Sequence, residues 1–236
     1  MPTPLEILLD PISLIVIFLY VGLMICEALF PARPLPRIKY WKVKGVFFFA
    51  IYFYLSSYLP MLWNTYLSAY QVFDLTDLGT VWGAVAGILI YQFGVYVWHW
   101  SMHKNNLLWR VFHQMHHSAE RVDTYGAFLF SPMDMIGYTV LGSLLLVLVA
   151  GFSPQASTII LLVNTFFSKF QHANIHAPSW LDISYSGRKP MPCIMPKVFM
   201  PITTLTLPFT ISCLAPGRIR RVLNMKTDFI MEHHPV

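Results

Sequence analysis

The chain has 236 residues, of which 56% are hydrophobic, 16% aromatic and only 11% charged. That balance is far too apolar for an ordinary water-soluble domain and points to a polytopic membrane protein. The net charge of +5 sits in short loops, which excludes a nucleic-acid-binding face.

In chain order, apolar stretches at about 12–30, 46–63, 80–98, 134–151 and 154–171 are each long enough to approach the roughly 30 Å hydrocarbon thickness at about 1.5 Å per residue. They predict an all-α protein with four to five transmembrane helices. The first stretch is expected to persist as an anchor, because Met1 to Asp10 carries Glu6 and Asp10 but no Lys or Arg, unlike a signal peptide. Arg33, Arg37, Lys39, Lys42 and Lys44 all lie between the first two stretches, which makes that loop cytoplasmic by the positive-inside rule. Asn64 to Gly79 has no Lys or Arg, whereas Lys104, Arg110 and Arg121 follow the third stretch. A hairpin at Gly151 to Pro154 would then return the chain to the cytoplasmic side just before His172. Cys26, Cys193 and Cys213 have no metal or redox spacing and suggest no disulfide framework.

Seven of the nine histidines form three clusters: His99 and His103; His113, His116 and His117; His172 and His176. Residues three or four apart on a helix share a face, so each cluster can offer a pair of imidazoles to one metal ion. Neutral imidazole suits iron, copper, zinc and nickel, and thiolates that would favour a closed zinc site are absent from the clusters. The alternating topology puts all three clusters on one side of the membrane, as one cytoplasmic metal site requires. A proton relay would need acidic partners across the membrane, and a metal transporter would need histidines at mid-membrane depth; these lie at span ends. Glu120, Asp123, Gln171 and Asn174 lie close enough in sequence to orient ligand rings, though a solvated loop is the plainer reading of Glu120 and Asp123. Trp98, Trp100 and Trp109 could line a lipid channel or simply sit at the membrane interface.

The runs Trp98-His99-Trp100-Ser101-Met102-His103, Leu108-Trp109, His113-Gln114-Met115-His116-His117-Ser118 and His172-Ala173-Asn174-Ile175-His176, with Pro178 and Trp180-Leu181 after the last, resemble the fatty acid hydroxylase superfamily, which includes sterol desaturases. The resemblance covers roughly residues 10–181. It implies a membrane oxidoreductase in which histidines hold two iron ions and oxygen is the co-substrate. A lipid C–H bond is hydroxylated or desaturated with electrons from an external donor protein, since no cytochrome or flavin motif is present. The membrane would be the inner membrane in a bacterium or the endoplasmic reticulum in a eukaryote. A non-catalytic metal-binding or structural membrane protein is the alternative. Many relatives carry Arg-x-His-Pro where this chain has Ser131-Pro132, so that position supplies no ligand here.

Relatives also carry a further H-x-x-H-H cluster soon after the third, and here it is missing. The chain after Leu181 is instead punctuated by Gly187, Pro190, Pro192, Pro196, Pro201, Pro208 and Pro216 without helical or strand period. Restoring one base after the Leu181 codon lets Asp182 to Lys189 be re-read as G-Y-F-I-Q-R-P-E. The stretch around Met191, Cys193, Met195 and Met200 then reads A-H-A-L-H-H-A-K-G-V-H, and Pro201 to Pro216 permits A-N-N-Y-A-D-L-A-I-Y-D-L-L-F-G-T. The domain reading is therefore residues 1–79 as N-terminal membrane helices, 80–181 as an incomplete histidine-box domain and 182–236 as an out-of-frame, disordered tail. His233 and His234 become misread serine codons. The competing reading is a genuine tail whose Arg218, Arg220 and Arg221 touch lipid headgroups.

Overall fold

The computed structural model describes residues 1–176; the expectation about 182–236 lies outside the described residues. The regular elements of residues 1–176 are all helices, with no strand among them. A short helix α1 (Pro4–Leu9) leads into α2 (Pro11–Leu29), α3 (Trp41–Ser68) and α4 (Gly79–Lys104). Two short helices, α5 (Asn106–Leu108) and α6 (Gln114–His117), flank a π-helical stretch, Trp109–His113. Then come α7 (Pro132–Ser143), continued as a π-helical stretch Leu144–Val149, and α8 (Pro154–Phe170).

Among the described residues, four helical segments are long and apolar enough to cross a membrane: Pro11–Leu29, Trp41–Ser68, Thr76–Lys104 and Pro132–Val149. They coincide with the first four expected spans. The fifth forms α8, whose 17 residues reach about 26 Å at 1.5 Å per residue, short of the hydrocarbon thickness. Phe18, Phe47, Trp82 and Phe93 are 75%, 58%, 70% and 69% exposed, so the outer faces of α2, α3 and α4 are apolar, as contact with lipid rather than water requires.

Helix starts follow local chemistry. Asp10 caps α2 by accepting from the amides of Ile12 and Ser13, with Pro11 in the first turn. Ser131 caps α7 and Ser153 caps α8, each followed by proline. Helix α4 packs on α8 through small residues: a Cβ on Gly83 would meet Ala156, and one on Gly87 would overlap Ile160 Cδ1 and crowd Phe152. Small residues four apart let membrane helices approach closely. Gln92 and Asn164 add a hydrogen bond across the same interface.

The chain turns at Gly151, which takes a positive φ of 61° that suits glycine, and the helix that follows packs chiefly on α4 rather than pairing with α7 as the expected hairpin would. The amides of Val72, Phe73 and Leu75 donate to the carbonyls of Leu148, Val149 and Ala150, closing one end of the bundle. At the other end the α2–α3 loop joins the segments around the histidines. Arg121 Nη1 donates to Pro36 O, Trp41 Nε1 donates to both oxygens of Asp123, and Ala32 N donates to Asn174 O. The lysine- and arginine-rich loop and the histidines therefore share one end of the bundle. Beneath them lies an aromatic layer in which Phe128, buried, packs edge-on against Tyr20 and Phe49.

Candidate metal centre

Six of the seven histidines converge. His99 and His103 occupy the last turns of α4, His113 ends the π-helical stretch and His117 ends α6. Their ligand atoms all lie within 4.8 Å of one another. His99 and His103 face each other at 3.2 Å between Nε2 atoms, and His113 and His117 at 3.1 Å. His116 points the other way and meets His172, with Nε2 atoms 3.3 Å apart. The middle cluster thus serves two groups: four imidazoles on one side, His116 with His172 on the other, linked by ring contacts of His116 with His113 and His117 at 5.4 and 5.5 Å.

The helical spacing argument holds for the first two clusters and not for the third. Helix α8 ends at Phe170, so His172 and His176 do not share a helical face. His172 is buried and His176 exposed, and the described structure does not bring His176 to the other six. His113 ends a π-helical stretch, Trp109–His113, and such stretches recur at functional sites.

The donor set fits a metal. Two nitrogens bound at about 2.1 Å to one ion stand about 3.0 to 3.4 Å apart for cis angles from about 90 to 109°, and all three close pairs fall in that window. Neighbouring groups leave the inward nitrogens with lone pairs. His113 Nδ1 lies 3.3 Å from Asp134 Oδ2, which favours the proton on Nδ1 and frees Nε2. His172 Nδ1 donates to Ser168 O at 2.7 Å, likewise freeing Nε2. Burial holds the imidazoles neutral: it pushes His113 and His172 down to about 4 and His117 to about 3, and holds His116 well below the usual value. Neutral, converging imidazoles are what a metal ion needs and what a solvated polar patch lacks.

The surroundings correct several expectations. Asp123 is buried but supports the fold rather than a ligand: it accepts from Trp41 Nε1 and Gly126 N and pairs with Arg121. Asn174 donates from its side chain to Arg33 O. Glu120 is exposed, as the solvated-loop reading expected. Gln171 caps the end of α8, its amide donating to Phe167 O. Trp109 packs on His103 and His117 at 5.1 and 5.0 Å, whereas Trp100 is largely exposed and Trp98 packs on Phe112. Ser131 supplies no ligand; its hydroxyl contacts the carbonyls of Val111 and Phe112 and caps the Asp134 amide, tying α7 to the stretch that carries His113.

Two buried residues escaped the sequence reading. Asp134 carries the carboxylate behind His113. The Ser131-Pro132-Met133-Asp134 run signals a helix start, but nothing in it announces the histidine contact. Lys169 is buried beside the second group: Nζ donates to Ala127 O at 3.1 Å and lies 3.9 Å from the centre of the Phe128 ring. A lone lysine at the end of an apolar stretch was the available signal.

No curated protein and no solved structure matches the chain. The family model described as fatty acid hydroxylase matches residues 84–191, somewhat under half of the chain, and that match takes in all seven clustered histidines and supports the fatty acid hydroxylase superfamily for this region.

Proposed function

We propose that this chain is built as a membrane oxidoreductase that hydroxylates or desaturates a lipid C–H bond with molecular oxygen at a pair of iron ions. The observation that carries the reading is the convergence of six imidazoles, His113 and His172 buried and the other four half-buried, into two adjoining groups within the region matched by the family. His99, His103, His113 and His117 would hold one ion; His116, His172 and His176 would hold the other. With both bound, the iron pair would supply reductive oxygen activation: a C–H bond, O2, two electrons and two protons yield C–OH and one water. The electrons would come from a separate donor protein.

The protein's own part is to orient and shield. Asp134 and Ser168 select the tautomers of His113 and His172; Phe130 stacks on His116 at 4.5 Å, and Trp109 covers His103 and His117, limiting water access. The shared end of the histidines and the basic α2–α3 loop supports a cytoplasmic site, on the inner membrane in a bacterium or the endoplasmic reticulum in a eukaryote. The position of the histidines at helix ends disfavours a transporter.

The activity of the chain as written is impaired in this reading, because the last histidine cluster is missing and codon degeneracy after Leu181 permits it in the other frame. Membranes containing the chain with one base inserted after that codon are incubated with 18O2, a reductant system and lipid extract. The expected result is an 18O-labelled hydroxylipid, or a lipid lighter by two hydrogens, that disappears in His113→Ala. No oxidised lipid from the repaired chain, with iron bound, would favour the non-catalytic alternative.

A further inference from the structure

Glu27 has no role in the chemistry above, yet it is a buried carboxylate near the end of an apolar membrane helix. Burying such a group is costly unless its oxygens are well supplied with donors. One oxygen, Oε2, accepts from the amide of Thr124 at 2.8 Å, from the Thr124 hydroxyl at 2.7 Å and from the amide of Asn174 at 3.1 Å. Thr124 lies in the loop between the middle cluster and α7, and Asn174 is midway between His172 and His176. The attachment continues beside it: Ala32 N donates to Asn174 O at 2.9 Å, Asn174 Nδ2 donates to Arg33 O at 2.8 Å, and Pro31 forms an antiparallel bridge with Ile175.

These contacts answer a structural problem. Helix α8 has ended before His172; one further turn holds His172 and Ala173 to the carbonyls of Lys169 and Phe170, and residues 174–176 lie beyond it. His172 nevertheless has to meet His116 at 3.3 Å, and a ligand displaced by even an ångström loses a metal. Charge-assisted hydrogen bonds are short and about twice as strong as neutral ones, and here one carboxylate joins the third cluster to the loop that follows the second.

We infer that Glu27 is a positioning residue for the second metal group: from the first membrane helix, through Thr124 and Asn174, it holds His172 against His116. The inference rests on the reading that His116 and His172 hold metal. It assigns α2 a part in building the site, beyond anchoring, although α2 lies outside the matched region.

The metal-free full chain in lipid nanodiscs is titrated with Zn2+ by calorimetry. Two binding steps are expected, the one removed by His99→Ala belonging to the four-histidine group and the weaker one removed by His172→Ala belonging to the second. Glu27→Leu should weaken the second step by about tenfold or more, as loss of a ligand-orienting partner does, and leave the first within about twofold. Glu27→Gln keeps one carbonyl acceptor and should weaken the second step less than Glu27→Leu. Thr124→Val, which removes one of the three donors at nearly constant volume, should also act on the second step alone. A second step unchanged in Glu27→Leu overturns the inference. If Glu27→Leu abolishes both steps, Thr124→Val and Glu27→Gln decide: selective weakening supports the inference, and equal effects on both steps overturn it. Absence in the unsubstituted chain of any step that His172→Ala removes would refute the metal reading of that pair, a failure distinct from that of the Glu27 inference.

Discussion

Asp134 and His113 come from different elements, the first turn of α7 and a π-helical stretch, and meet at 3.3 Å between Oδ2 and Nδ1 in a site where both are buried. The carboxylate holds the imidazole in one tautomer and raises its basicity as a ligand. Asp134→Asn, which preserves shape and the Ser131 cap on the Asp134 amide, should weaken binding at the four-histidine group by about 10- to 100-fold. Zn2+ titration of the metal-free protein checks this; an unchanged affinity would leave Asp134 with a purely structural role.

His172 and His176 should differ in how directly they report on the second group. His172→Ala should abolish that group's Zn2+ step, since it removes one of the two nitrogens seen 3.3 Å apart. His176→Ala should weaken the step without abolishing it, because His176 is exposed in the structure and would join as a further ligand. Identical behaviour of His176→Ala and the parent chain in calorimetry would remove His176 from the ligand set.

Acid should destabilise the metal-free protein in a defined window. The folded-state values of His113 and His172 are pushed down to about 4 and that of His117 to about 3, against 6.5 when unfolded. Below about pH 6.5 the unfolded chain therefore binds protons that the folded chain refuses, so stability is fully present above that pH and lost as pH falls toward 4. Thermal unfolding in detergent at pH 7.5, 6 and 5 should show a falling midpoint, steepest below 6. Adding His113→Phe and His117→Phe together should flatten the dependence. A midpoint that rises on acidification would contradict the burial of neutral imidazoles.

The α4–α8 contact should tolerate no bulk at Gly87. A valine there must displace Ile160 and Phe152, both buried, and overpacking of this kind costs about 1–3 kcal/mol. For a chain of this size that is a fall of several degrees in unfolding temperature, whereas Gly22→Val, with open space around it, should change little. Equal midpoints for the two variants would mean that α4 and α8 do not pack as described.

Much of this architecture is legible from residues alone because its signals are local. Apolar length marks the first four spans, and i, i+4 spacing pairs His99 with His103. What escapes is set by long-range geometry. The meeting of His116 with His172 depends on where α8 ends, which has no composition signature. Asp134 behind His113 and Glu27 beneath Asn174 are encounters across 21 and 147 residues of sequence. Asp123 and Asn174, close to the clusters in sequence, turn instead to Trp41 and Arg33, so proximity along the chain was a poor guide to which polar groups back the ligands.

The central claim is that converging histidines form a metal centre for lipid oxidation, short of its last ligands in the chain as written. It is tested most directly by elemental analysis of iron per chain, paired with mass spectrometry of lipid products, on the unedited chain and on the chain with one base inserted after the Leu181 codon, purified from identical membranes. The unedited chain should hold fewer than two irons and yield no oxidised lipid, and the insertion should restore both, since affinity follows ligand number and geometry. Two irons in the unedited chain, with turnover as fast as in the repaired one, would contradict the account and return His233 and His234 to consideration as ligands.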